Sequence, residues 1–374
     1  MRGDKSALSA AIDTLRFPIM LGVVAEHAFF QVPEGGSYPV YSTIKFFLSD
    51  VSTEVLPPPL FFLISGLLFF WTVEKFTSSV WSSKIRRRAI TVLIPYIFWN
   101  LLIIGVLYVG QTWFGDLAGQ EATRVAEYSF KDWLWAFWDT SKGTAYASAT
   151  VGDPVYFPFW FLRDLMVLFL ISPLIWFLVK KAGGWFVLLL GLWWLAAGIP
   201  DVPRWVYGVA GFSPRAIFFF SAGAWIITSR KQAAERFLES KKNLSILLCI
   251  VIPAIAVAYL LKGHPAYQPY IRLYTIACTA LCLVIAARLS KKAKGRKFWA
   301  FLGGATFFLY ASHGFLAKLL PHIVIQKTGI CGDLQLTVLY FVCLAATVAI
   351  CLAVYWIMKK ITSRLLGVIT GGRC

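Results

Sequence analysis

The sequence predicts an all-α fold: a polytopic membrane helical bundle of about ten transmembrane helices, with both termini cytoplasmic. Three observations predict it. The chain is 59% hydrophobic and only 14% charged, whereas about a quarter of the residues of a soluble globular chain are charged. Apolar runs of about 20 residues, enough to cross the hydrocarbon as a helix, recur along its whole length. Basic residues collect between alternate runs, as positive-inside topology requires.

The runs lie near 12–32, 56–73, 89–112, 157–179, 184–200, 212–229, 243–261, 270–289, 298–320 and 335–358. The first carries Asp13, Arg16, Glu26 and His27; the fifth is short and stops at Pro200. With the N-terminus in the cytoplasm, the cytoplasmic segments hold Arg2 and Lys5, the 75–88 cluster, Lys180 and Lys181, the 230–242 and 288–297 clusters, and Lys359, Lys360, Arg364 and Arg373. These are most of the 36 Lys and Arg. Acids such as Asp116, Glu121, Asp139, Asp153 and Asp201 fall on the opposite side. Miscounting by one span would put neighbouring basic clusters on opposite faces of the membrane.

The net charge of +18 does not point to nucleic acid, because the cations lie between apolar runs and not on a soluble module. No metal is expected: the seven cysteines lie mostly in apolar runs without zinc-ligand spacing to histidines. They read as small packing residues. No cleavable signal peptide is expected, because the first run is too polar and no small-residue cleavage site follows it. Residues 1–374 read as a single integral-membrane domain. The longest polar loop, near 113–156, is expected outside and contains Tyr128, Trp133, Trp135, Trp138 and Tyr146. It suits either carbohydrate contact or a Trp-rich helix lying at the interface.

Ionisable residues within spans are costly and are functional candidates by default. Arg16 and His27 are eleven residues apart, which at 100° per residue leaves them about 20° from alignment, on one helix face and about 16 Å apart along the axis. Asp13 is placed to pair with Arg16. One polar stripe thus runs through the first span, as a path between two compartments needs; the structural alternative for His27 is a hydrogen bond to a neighbouring helix. Glu26 is about 100° from His27 and is read as an interfacial carboxylate.

The segment KIRRRAITVLIPYIFWN places Lys84, Arg86, Arg87 and Arg88 just before a span. They are either a positive-inside anchor or a site for the phosphates of a nucleotide-bearing donor, since guanidinium forks match phosphate oxygens. Arg163 and Asp164 enter the fourth span together, either closing a salt-bridge network or positioning an acceptor, with Trp160 beside them as a stacking surface for a sugar. Tyr310, Ser312 and His313 lie in the ninth span, with His313 a second proton carrier or a helix–helix hydrogen bonder. Ser65–Gly66 permits close helix approach in the second. There is no Walker A loop, HExxH motif or GxSxG elbow.

Taken together, the Arg16–His27 spacing, PLFFLISG, the basic cluster before IPYIFWN, WFLRDL, FFFSAGAWI and FFLYASHG resemble the integral-membrane acyltransferase family 3, the O-acetyltransferase family, in order and over nearly the whole chain. The resemblance implies a ten-span core in a bacterial inner membrane. It implies acetyl-CoA or another acyl-CoA as co-substrate and a hydroxyl of an extracytoplasmic glycan or lipid-linked saccharide as acceptor. His27 matches the family's essential His and Arg16 its paired Arg. The family's Arg-x-x-Arg pair is met at Lys84 and Arg87 with Lys first, which leaves the phosphate ligands open among Lys84, Arg86, Arg87 and Arg88. On this reading His27 is a general base or carries the acyl group covalently, and Arg16 holds the donor or stabilises its developing charge. The competing functions are a polysaccharide or small-molecule transporter without acyl transfer, and a membrane sensor or scaffold.

Overall fold

The computed structural model of the chain describes residues 6–53, 55–113, 125–143, 152–292 and 296–373. Arg2, Lys5, Asp116, Glu121 and Tyr146 therefore lie outside the described residues. Sixteen α-helices follow one another there: α1 (Ala7–His27), α2 (Pro39–Lys45), α3 (Pro57–Phe70), α4 (Ser78–Arg88), α5 (Ile94–Trp113), α6 (Phe130–Ala136), α7 (Trp160–Leu170), α8 (Ser172–Ala182), α9 (Gly184–Ala196), α10 (Pro214–Trp225), α11 (Lys231–Glu239), α12 (Lys241–Leu260), α13 (Tyr267–Lys292), α14 (Arg296–Thr328), α15 (Asp333–Ile361) and α16 (Ser363–Ile369). π-helical turns extend α2 over Phe46–Thr53 and α10 over Ile226–Arg230, and join α4 to α5 over Ala89–Leu93. No strand occurs among the described residues.

Seven of the described helical segments are long and apolar enough to cross a membrane: α1, Pro39–Phe70, Ser78–Trp113, α12, α13, α14 and α15. An eighth forms if α7 and α8, bent by 65°, count as one broken span. The bend interrupts the run predicted at 157–179, and its cause is local. Pro173 opens α8, and a proline supplies no backbone N–H to continue the α7 ladder. The fifth and sixth predicted runs are helical but short. α9 has 13 residues, about 20 Å of rise against about 30 Å of hydrocarbon. α10 has 12 residues before its π-helical extension. The first predicted run also ends early, since α1 starts at an N-cap where Ser6 accepts from Ser9 N–H and stops at His27.

α1 is the central helix, packed against α13 and α14 and touching α3, α11 and α15. That explains how it tolerates a polar stripe: neighbouring helices pack on it, and Arg16 and His27 face a cavity between them. α3 and α10 make the most extensive pairing. A methyl on Gly66 would stand 2.1 Å from the Phe220 carbonyl oxygen, and one on Gly223 would stand 2.2 Å from that of Leu63. The backbones approach through these two glycines, as small residues allow in membranes. Asp333, at the start of α15, accepts from the N–H groups of Val40 (2.8 Å) and Tyr41 (2.9 Å) and so caps α2.

Candidate active site

α1 and α14 run in the same direction. His27 lies against His313, and eleven and ten residues earlier Arg16 and Gly303 line the same wall. α15 returns antiparallel, bringing the Tyr355 hydroxyl to Gly304. Between these helices and α3, α7 and α10 lies one cavity of about 1520 Å³. Its charge is segregated. Arg16, Arg88, Lys359 and Arg373 line one end. Glu26, His27, Asp139, Lys142, Asp153 and Arg215 line the other.

His27 closes α1 at the junction. Its ring stacks on His313, centroids 5.3 Å apart and planes 19° apart, and meets the edge of Phe157 at 4.8 Å. His313 is fully buried and does not line the cavity. Its Nδ1 lies 3.0 Å from the Leu309 carbonyl and 2.7 Å from that of Tyr310. A carbonyl only accepts, so Nδ1 carries the proton and the neutral tautomer keeps its lone pair on Nε2. That Nε2 has no hydrogen-bond partner among the described residues. His313 thus forms the back wall of the His27 pocket: its Nδ1 bonds its own helix and not a neighbouring one, and its ring packs on the imidazole.

Phe157 is held in place by a short 3₁₀ turn, Phe157–Phe159. Tyr310 Oη donates to Pro158 O at 2.5 Å, Gly314 N–H donates to Tyr156 Oη at 3.2 Å, and Tyr156 N–H donates to Asn100 Oδ1 at 3.2 Å. Sequence reasoning missed this clip; nothing in local pattern marks Asn100 or Tyr156 as partners.

The remaining anticipated residues divide sharply. Asp13 pairs with Arg16 at 3.6 Å, both side chains 41% exposed. Glu26, Trp160 and Tyr310 line the cavity. Arg215 lies over the Trp160 ring at 5.0 Å and occupies one of its faces. Arg163 and Asp164 reach the cavity wall but are 3% and 2% exposed and paired at 2.7 Å. Arg163 also donates to Trp138 O (2.5 Å) and Gly152 O, while Asp164 accepts from Gly211 N–H at 3.1 Å. The pair ties three outer segments together, which is the salt-bridge alternative. Of the basic cluster only Arg88 lines the cavity, its guanidinium over Phe169 at 5.0 Å. Lys84 donates to the Phe69 carbonyl at 2.7 Å and so caps α3, where a cation meets the helix dipole favourably. Arg86 and Arg87 are exposed.

Two charged groups at the cavity ends are perturbed. Burial pushes the Asp153 carboxyl up to about 6, with Asp139 and Asp164 adding and Arg163 opposing. At the basic end, burial and then the cations of Arg88 and Arg16 push Arg373 down to about 10, so it stays cationic at neutral pH. Among the described residues no group of three or more His, Cys, Asp or Glu is arranged to hold a metal. In the Trp-rich loop the described part forms α6, whose Ser129–Asp132 capping box leaves Trp133 41% exposed.

A helical membrane protein whose central helix carries an imidazole and a guanidinium on one cavity wall can bring a polar acceptor and an anionic donor together within the bilayer. Comparison with known proteins agrees with that chemistry. A family model described as an acyltransferase domain matches residues 9–356. The chain is 26% identical over 375 residues to the succinoglycan biosynthesis protein ExoH of Rhizobium meliloti (strain 1021), covering 98% of this chain and 93% of that protein. No solved structure matches it. The chain, matched over all but its ends, belongs to the acyltransferase domain family.

Proposed function

We propose that the protein transfers an acyl group, acetyl in the simplest case, from a cytoplasmic acyl-CoA to a hydroxyl of an extracytoplasmic glycan. It does so from a bacterial inner membrane, through a ten-span bundle with both termini in the cytoplasm. The observation that carries this reading is the single cavity joining Arg16 to His27. A thioester entering at the basic end and a hydroxyl entering at the other would meet at the imidazole. A ring nitrogen of His27 takes the proton of the acceptor hydroxyl; the oxygen attacks the thioester carbonyl, the C–O bond forms, the C–S bond breaks and the thiolate of CoA leaves. Arg16 supplies positive charge on the donor's path. The polysaccharide acceptor rests on the relative, whose name places that protein in succinoglycan biosynthesis.

The test uses inside-out membrane vesicles holding the protein, acyl-labelled CoA outside and a saccharide acceptor in the lumen. Label on the saccharide that depends on His27 is the expected result. Saccharide crossing the membrane with no label acquired would instead establish transport.

A further inference from the structure

We infer that Arg88, Lys359 and Arg373, beside Arg16, form a phosphate pocket that holds the nucleotide end of the donor, with the segment after α16 as one of its walls. The inference rests on the acyl-CoA reading and locates the donor's phosphates within it. Nothing in the sequence joins these residues: they come from the end of α4, the end of α15, the segment after α16 and the first half of α1. The cavity alone brings them together.

Three observations carry it. First, cations outnumber carboxylates at this end of the cavity among the described residues. Asp13 pairs with Arg16 at 3.6 Å, but no ion pair reaches Arg88, Lys359 or Arg373 among the described residues. Arg373 is pushed down first by burial and then by the nearby cations of Arg88 and Arg16. Converging cations without carboxylates are unfavourable until a polyanion joins them, and guanidinium forks match phosphate oxygens.

Second, the guanidinium groups are mounted on aromatic rings, Arg88 over Phe169 at 5.0 Å and Arg373 over Phe307 at 4.5 Å. Lys359 lies over Tyr355 at 5.6 Å. Stacking of this kind fixes a cation's direction while leaving its edge donors free.

Third, the segment bearing Arg373 is anchored. Trp99 Nε1 donates to the buried Ile369 carbonyl at 3.0 Å. Gly371 turns the chain at φ +63°, with its Cα against Thr91, where a Cβ would stand 2.2 Å from the carbonyl oxygen. Arg373 Nη1 then donates to Thr370 O at 3.0 Å. Its other guanidinium donors remain available to an anion.

The experiment measures binding of CoA, of pantetheine, which lacks the phosphates, and of pyrophosphate, which has only phosphates, to purified protein in detergent. Arg373→Gln is expected to weaken CoA and pyrophosphate about tenfold or more, as loss of a charge-assisted hydrogen bond does, and to leave pantetheine unchanged. Lys359→Gln, on a separate helix, provides the same comparison if Arg373→Gln fails to fold. Lys242→Gln, exposed and outside the cavity, serves as the neutral control. Equal CoA affinity in wild type and the folded cavity variant overturns the pocket while leaving the acyl-CoA reading intact. No CoA binding to wild type overturns the acyl-CoA reading, and pyrophosphate then decides the pocket by the same comparison.

Discussion

Two side chains bear most of the chemical argument, and each predicts a measurable effect. His27 is the imidazole of the cavity wall. His27→Ala should lower kcat by about 10²–10⁴, the usual worth of a positioned base, in protein that still purifies as a folded membrane species; near-wild-type turnover would remove it from the mechanism. Asp153 lines the end of the cavity away from Arg16, with its pKa pushed up from 3.8 to about 6 by burial. The fold therefore binds that proton more tightly than the unfolded chain does. Its contribution to stability is largest below pH 3.8 and is lost as pH rises to about 6. Neutral Asp153 can donate where the ionised group only accepts. The acceptor KM should accordingly change between pH 5 and 7, and Asp153→Asn, with Arg163, Asp139 and Asp164 still around it, should flatten both profiles in steady-state kinetics and thermal unfolding. The sequence marks His27, Arg16 and Glu26 because charge within an apolar run is conspicuous. Asp153 is marked there only as one of several loop acids, and Arg215, near the start of its run, is not singled out as a site residue.

At the scale of elements, the bundle depends on a few close contacts that admit no extra atoms. α3 and α10 meet at Gly66 and Gly223, each facing a carbonyl of the other helix. Gly66→Ala should cost about 1–3 kcal/mol by forcing the backbones apart, read as a lowered unfolding temperature in detergent; an unchanged value would mean the helices can separate freely. The Arg163–Asp164 pair governs the outer segments. Arg163→Met leaves a buried carboxylate unpaired and should cost about 3–5 kcal/mol, whereas the double change Arg163→Met with Asp164→Leu should cost less, since no charge is stranded. SG in PLFFLISG is legible as a packing site from residue size alone. The partner of Arg163 is also legible, being its neighbour in sequence; Trp138 O and Gly152 O are not, because backbone carbonyls carry no sequence signal.

For the whole molecule, the distribution of basic residues makes a topological claim. A periplasmic-active reporter inserted after Lys142 should be active, and the same reporter after Lys75 should be silent; the reverse pattern would invert the bundle. Seven described segments can cross by length and apolarity, while the bent α7–α8 pair and the short α9 and α10 are not straight spans of that length. Periodicity places helices at all ten predicted runs. It does not foresee the 65° break, because Pro173 is compatible with a kinked continuous helix as well as with a broken one.

What the sequence by itself determined is the solvent of the fold and the identity of its central helix. Apolar runs of bilayer length, basic clusters between alternate runs and an Arg and a His eleven residues apart are one-dimensional signals, set by helix geometry and by the cost of charge in hydrocarbon. Only the tertiary structure decided which of the many cations face the cavity. Lys84 turns to a helix end, Arg86 and Arg87 to solvent, and Arg88, Lys359 and Arg373 inward. The reason is physical: a side chain's direction near a helix end depends on which neighbouring carbonyls and rings are within reach, and those neighbours come from helices far apart in the chain.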